Sequence, residues 1–342
     1  MVIRKNSDGR PQIAEITPAA AIAGGELEIR GTGFGRGQTP RVTVGDVEAH
    51  VLVGSDSFLI ARVPEAAAAG ELVVECGDRA SPARSCQIGV LVAANVHPVA
   101  NPALDAEGNI YTTLSGSRGQ KTPVSVYRID TSYNLRPFLS EVMNATGLAF
   151  DREGFLYVSS RHDGIIYQAG PDGSMSVYAE GMGVATGLAF DREENLYVGD
   201  RSGTIFKISR SRQIYVFATL EPSISAYHLA FGPDERLYVT GPTTSSFDSV
   251  YRISPAGEVE IFYRGLGRPQ GLVFDADGWL YVAASLGGRK GVVRLGENRQ
   301  PELFLSGPHI VGLAFAAPRA LVAATNTGIY RVDVGIKGRP LV

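Results

Sequence analysis

One twelve-residue phrase recurs along most of the chain, and it restricts the fold more than any other feature. It reads GLAFDREGFLYV from Gly147, GLAFDREENLYV from Gly187, HLAFGPDERLYV from His228, GLVFDADGWLYV from Gly271 and GLAFAAPRALVA from Gly312. A degenerate copy, NPALDAEGNIYT, starts at Asn101. Successive starts lie 46, 40, 41, 43 and 41 residues apart. A unit of this length with several short apolar runs is one blade of a β-propeller. After the first full copy, SSRHDGIIYQAGPDGSMSVYAEG completes a second strand and adds a loop, a third strand, a DG turn and a fourth strand. Each blade is therefore expected to be a four-stranded meander. Six copies predict six blades across residues 99–333. Only three strands are clear in the last copy. Its fourth is expected either from residues near Val90 to Val96 or from the C-terminal tail.

Composition agrees with an all-β chain and removes several function classes. Of the 342 residues, 44% are hydrophobic and 20% charged, ordinary for a globular protein, while 41 Gly and 19 Pro suit strands and turns. No apolar run is long enough for a transmembrane helix, so membrane insertion is not expected. A net charge of −3 gives no general pull toward nucleic acid. The start, MVIRKNSDGRPQ, lacks the apolar core of a secretory leader. That leaves a cytoplasmic protein or a secreted one without its leader. Cys76 and Cys86 flank a turn-rich loop, open either to a disulfide or to two small half-buried side chains. Asn144-Ala145-Thr146 fits the glycosylation acceptor pattern.

The N-terminal part obeys a different grammar. Residues 1–10 are expected to be disordered or extended. From Pro11 to about Val92 short runs alternate, among them LEIR, RVTVG and ELVVEC. Period-two alternation between Gly and Pro signals antiparallel strands with one buried face, here a small β-sandwich. The order PQIAEITP, AGGELEIRGTGFG, VTVGDVEA, IARVPEAAAAGELVVE resembles the IPT/TIG immunoglobulin-like domain, with Gly31 to Gly35 and Val63-Pro64 as its marks. The resemblance implies a spacer, a dimer contact or a binding module over residues 11–92, with Phe34 plugging the sandwich. The propeller then occupies 93–342.

The repeat itself resembles NHL repeats and the propellers of gluconolactonase and senescence marker protein. Most of the phrase has structural work to do. The inner GLAF run is apolar because neighbouring blades cover it. Asp151, Asp191 and Asp275 open turns, and Asp275-Ala276-Asp277-Gly278 reads as a hairpin rather than a calcium loop. Tyr157, Tyr197, Tyr238 and Tyr281 are expected to pack between blades. Resemblance to gluconolactonase implies a divalent cation on the axis, held by Glu, Asn, Asn and Asp just before the GLAF glycine. The corresponding residues here are Ala100, Thr146, Thr186, Tyr227, Gln270 and Val311. A one-residue slip in the first copy would bring in Asn101, but no acid. No metal and no cofactor are expected, and a gluconolactonase-like hydrolase or lyase becomes the alternative reading, disfavoured by the missing Glu, Asn, Asn and Asp ring.

Streptogramin lyases use a related propeller with a catalytic His. Of the five histidines, the meander puts His97, His162, His228 and His309 on one face, the upper one, where loops enter the inner strands. No acid stands at a matched position to partner them. The turns between first and second strands sum to −7 on the lower face. Loops between second and third strands, Arg118 among them, sum to +3 above. The expected function is thus non-catalytic binding of a polar or anionic ligand, or of a protein partner, at the upper mouth. Thr146, Thr186, Tyr227, His228 and Gln270 would line that mouth, with Arg161, His162 and Arg201 at its rim.

Overall fold

The computed structural model describes residues 10–35, 39–67, 70–117 and 119–339. The start expected to be disordered or extended lies outside them but for Arg10, as does Arg118 among the upper-loop charges. Every regular element among the described residues is a β-strand.

The repeat phrase folds as its chemistry demands. In the second copy, Ala145–Phe150 forms the inner strand and Leu156–Ser160 the next, followed by Ile166–Ala169 and Met175–Ala179. Asp151 makes the first turn: its Oδ1 accepts the N–H groups of Glu153 and Phe155 at 3.0 and 2.9 Å. Asp275 does the same for Asp277 and Trp279, each at 2.9 Å, so this segment is a hairpin turn. Its other oxygen accepts the Tyr281 hydroxyl at 3.0 Å. Tyr111 and Tyr238 bond Asp105 and Asp234 likewise, each at 3.1 Å, and burial pushes both phenols up to about 12.

Each of these tyrosines joins two blades. Tyr197 meets Phe217 of its own sheet and Phe231 of the next, ring centres 4.9 and 5.0 Å apart, edge to face. Tyr111, Tyr157, Tyr238 and Tyr281 repeat the arrangement. Edge-to-face pairing aligns a ring's positive edge with the negative face of its neighbour, adding to the gain from burial. The seam between the last and first copies lacks the pair and packs aliphatic Val322 and Leu104 in one cluster.

The expectation of six equivalent four-stranded blades is corrected by the sheet topology. Five sheets have four strands, while the copy at Gly271 lies in a sheet of six. There, Ala20–Ala21 pairs in parallel with Pro301–Ser306, the outermost strand of the meander, and Gln87–Ile88 pairs in parallel with Ala20–Ala21. The N-terminal chain therefore adds two strands to a propeller sheet. In the last copy, Val90–Ala94 supplies the fourth strand, antiparallel to Gly328–Asp333. A boundary drawn between residues 92 and 93 thus falls inside a propeller strand.

Before that junction, one sheet carries the strands Gln12–Thr17, Glu26–Thr32, Phe58–Arg62, Val47–Gly54, Arg41–Val44 and Glu71–Cys76, in this spatial order. Leu27, Ile29, Phe34, Val42, Leu59, Leu72 and Val74 are fully buried in its core. Cys76 and Cys86 are both free: Cys76 donates to the Phe34 carbonyl, and burial pushes the Cys86 thiol up to about 11. The two units are also tied by side chains. Arg289 reaches Glu28 at 3.0 Å and the Thr17 carbonyl at 2.9 Å, so one of the charges expected on the upper face serves this contact.

The blade seams yield a stability test. Tyr197→Ala removes a buried ring from two aromatic contacts and is expected to cost about 3–5 kcal/mol in denaturant unfolding. Tyr197→Phe keeps the ring and loses only the hydroxyl, for about 1 kcal/mol. Equal losses for both variants would move the stabilising role from the ring to the hydroxyl.

Candidate functional site

Neighbouring inner strands of the propeller approach closely at the level of the GLAF glycines. A Cβ on Gly147 would lie 2.1 Å from the Thr186 carbonyl oxygen, and one on Gly312 2.2 Å from that of Ala100. Only glycine lets adjacent inner strands approach this closely. Two copies break the rule, with Asn101 and His228. The Asn101 amide donates to the Leu272 carbonyl at 3.0 Å and accepts the Leu313 N–H at 2.9 Å, joining three inner strands. Beneath it lies a cavity of about 180 Å³. Its wall consists of Leu148, Leu188, Leu229, Leu272 and Leu313 with the apolar residues that follow each. Arg339, from the C-terminal tail, completes it on the lower side.

None of the eight residues expected at the upper mouth borders that cavity. Four are buried among inner strands. The Thr146 hydroxyl donates to the Asn144 carbonyl at 3.0 Å. That of Thr186 donates to Gly199 at 2.8 Å and accepts the Tyr227 N–H at 3.1 Å. The Tyr227 phenol donates to the Glu221 carbonyl, and its ring fills space left by Gly199 and Gly241. Gln270 is half-buried, and its carbonyl accepts from Thr240. Arg161 donates to the Gly116 carbonyl at 2.8 Å, and Arg201 to that of Ile224 at 3.2 Å, so both rim arginines hold neighbouring loops. His162 is exposed beside the Gly116–Gly119 loop. The structure brings Thr186 and Tyr227 into contact but does not gather the set around one opening.

The remaining candidates are placed as plainly. His97 bonds the Asn326 carbonyl at 2.8 Å, and His309 is exposed. Asn144 is buried, its side chain bonded to Gly119, Gly116 and Ser117, so the acceptor pattern is inaccessible to glycosylation in the fold. Two large apolar side chains also face outward above. Phe247 is 64% and Ile224 44% exposed on adjoining loops, linked by the Ile224 N–H to Pro242 carbonyl bond of 2.9 Å.

His228 is 2% exposed, and its Nε2 has no partner among the described residues. Burial drives its imidazole down to about 3, so it is neutral at pH 7. A buried neutral imidazole of this kind is poorly suited to exchange protons with a substrate. It also sets a pH dependence. The unfolded chain takes up a proton near pH 6.5 and the folded chain does not until about pH 3, so stability falls as pH drops through that window. At pH 5 the loss from this group is about 2 kcal/mol. A His228→Asn variant is expected to lose less stability between pH 7 and pH 5 than the native chain, measured by urea unfolding at both values. Parallel losses would show that His228 does not carry the effect.

Residues 11–88 match the IPT/TIG domain family. No curated protein matches the chain. Among solved structures, a Bacteroides thetaiotaomicron protein of unknown function aligns with a TM-score of 0.59 at 14% identity, over 96% of this chain and 99% of its own. A gluconolactonase from Xanthomonas campestris gives 0.60 at 16%, over 72% and 90%. An auxiliary nutrient binding protein from Bacteroides ovatus gives 0.53 at 13%, over 94% and 97%. Identities this low show a shared fold only.

The axial ring does not fit a divalent cation. Ala100 and Val311 offer no side-chain donor, and the hydroxyls of Thr146, Thr186 and Tyr227 already donate to backbone carbonyls. A hard cation wants several oxygen ligands, usually with carboxylates among them, and none of these six residues is an acid.

Proposed function

We propose that the chain is a non-catalytic binding protein, with the propeller's upper loops as its contact surface and a protein as its partner. The observation that carries this reading is how the upper polar groups are used. Those on the inner strands are bonded inside the protein, while Phe247 and Ile224 project from the loops beside Arg201. Exposed aromatic and aliphatic side chains next to an arginine are the usual anchors of protein interfaces. In the same reading the composite six-stranded sheet is the sixth sector of the ring. Its inner strand contributes Leu272 to the cavity wall at the position filled by Leu148 in the second copy.

The hydrolase alternative has the folds of gluconolactonases in its favour and the donor set against it. Two measurements separate the readings. Immobilised native protein is expected to retain a partner that an Ile224→Ser/Phe247→Ser variant releases at least tenfold faster, with both folded by circular dichroism. Lactone hydrolysis with added Ca²⁺ or Zn²⁺ is expected to stay at background. Metal-dependent turnover, or retention indifferent to the double substitution, would overturn the proposal.

A further inference from the structure

The lower side of the axial cavity is bordered by a segment that the repeat does not contain. After the last strand, Gly328–Asp333, the tail turns back beneath the inner strands. Gly338 bridges to Asp275, and the Ala276 N–H donates to the Lys337 carbonyl at 2.9 Å. A Cβ on Gly338 would lie 2.1 Å from Cβ of Phe315, so only glycine brings the tail this close. Arg339 is thereby fixed at the cavity: its N–H donates to the Phe274 carbonyl at 3.2 Å, and its Nη1 to that of Phe231 at 3.0 Å.

The charge of Arg339 has no dedicated counter-ion. Among the described residues no carboxylate lies within 4.0 Å of its guanidinium. Asp234 and Glu235 are near enough to favour the charge, but Asp234 faces Arg236 and Arg252, and Glu235 is paired with Arg192. Desolvation and the neighbouring Arg192 outweigh them and pull the Arg339 pKa below the usual guanidinium value. A partly desolvated cation therefore borders an apolar chamber with bonding capacity left over, since one guanidinium has five N–H donors.

We propose that this chamber, roofed by Asn101 and bordered by Arg339, is a binding site for a small monocarboxylate with an apolar body. The leucine-lined wall takes the apolar part, and the guanidinium takes the carboxylate through charge-assisted bonds. The volume sets the size. Dry apolar cavities of about 150 Å³ hold benzene, and about 180 Å³ here accommodates one ring with its carboxylate. A phosphate or sulfate would leave most of its oxygens against leucine and alanine, without donors to repay their desolvation. An ammonium ligand would meet like charge. The site is separate from the upper loops and does not rest on their proposed role.

The test titrates the full chain with sodium benzoate and with benzamide, its neutral counterpart of equal size, by calorimetry. Benzoate is expected to saturate a single site and benzamide to bind at least tenfold more weakly. Arg339→Gln should weaken benzoate at least tenfold. Arg339 is half-buried and its Nη1 bonds the Phe231 carbonyl, so the melting temperature of this variant is measured beside the titration to show that it is folded at the titration temperature. Arg210→Gln, which changes an exposed arginine away from the cavity, should bind as the native chain does. Contacts between benzoate ring protons and the methyls of Leu148, Leu188 or Leu229 in nuclear Overhauser spectra would place the ligand. Failure of benzoate to saturate the native protein, or equal affinity in Arg339→Gln, would overturn the assignment. The Ile224→Ser/Phe247→Ser variant should bind benzoate normally, so a failure of the upper-face reading can be told from a failure here.

Discussion

The ring depends on the contact between a second-strand tyrosine and the inner-strand phenylalanine of the next blade. In a propeller each sheet touches only its two neighbours, so order around the ring is transmitted one seam at a time. The tyrosine is held from three sides: by an aromatic of its own outer strand, by the phenylalanine of the next blade, and by the carboxylate of its own first turn. That carboxylate also accepts turn N–H groups, so the turn that sends the chain outward also orients the ring that locks the next blade. This explains why Asp, Phe and Tyr of GLAFDREGFLYV recur together. The phrase encodes a joint between blades, and its inner apolar run also lines the axial cavity.

Closure solves the problem the joints leave open. The aromatic pair is missing at the last seam, where Val322 and Leu104 pack instead. The chain compensates by hydrogen bonding. Val90–Ala94 pairs with the last-copy strand Gly328–Asp333, and Ala20–Ala21 pairs with the outer strand of the sheet before it. Residues from before the repeat thus fasten two consecutive sheets next to the seam that lacks the aromatic pair. An exposed blade edge is an open row of donors and acceptors, and the N-terminal unit covers one. On this view the unit is part of the ring's fastening as well as a domain in its own right.

What could be read from the sequence follows from how local the cause is. The repeat, the Asp turns and the inter-blade tyrosines were legible because each rests on residues close in the chain. The added strands were not, because Ala20–Ala21 and Gln87–Ile88 are two residues long and carry no periodicity. The bonding of the upper-mouth residues was not legible because it depends on partners far apart in the chain: Thr186 and Tyr227 spend their polar groups on each other and on nearby backbone. Arg339 lay beyond the last copy, and only GIKGR, with two glycines after a strand, hinted that the tail turns sharply.

The same geometry decides where chemistry can reside on this axis. At the glycine level the backbones are in contact, so a side chain that enters must replace a glycine, and only Asn101 and His228 do. The Asn101 amide is bonded to two backbone groups, and His228 is buried and uncharged at neutral pH. Neither residue carries a charge at neutral pH. Lower down, the inner strands diverge and the wall becomes leucine, alanine and phenylalanine, which offer volume without reactivity. The one charged group at that chamber arrives from outside the repeat, on a tail held by backbone bonds to Asp275 and Phe274. A scaffold whose repeat residues are committed to joints between blades gains a binding group most readily from a segment that has no such commitment, and Arg339 stands on that segment.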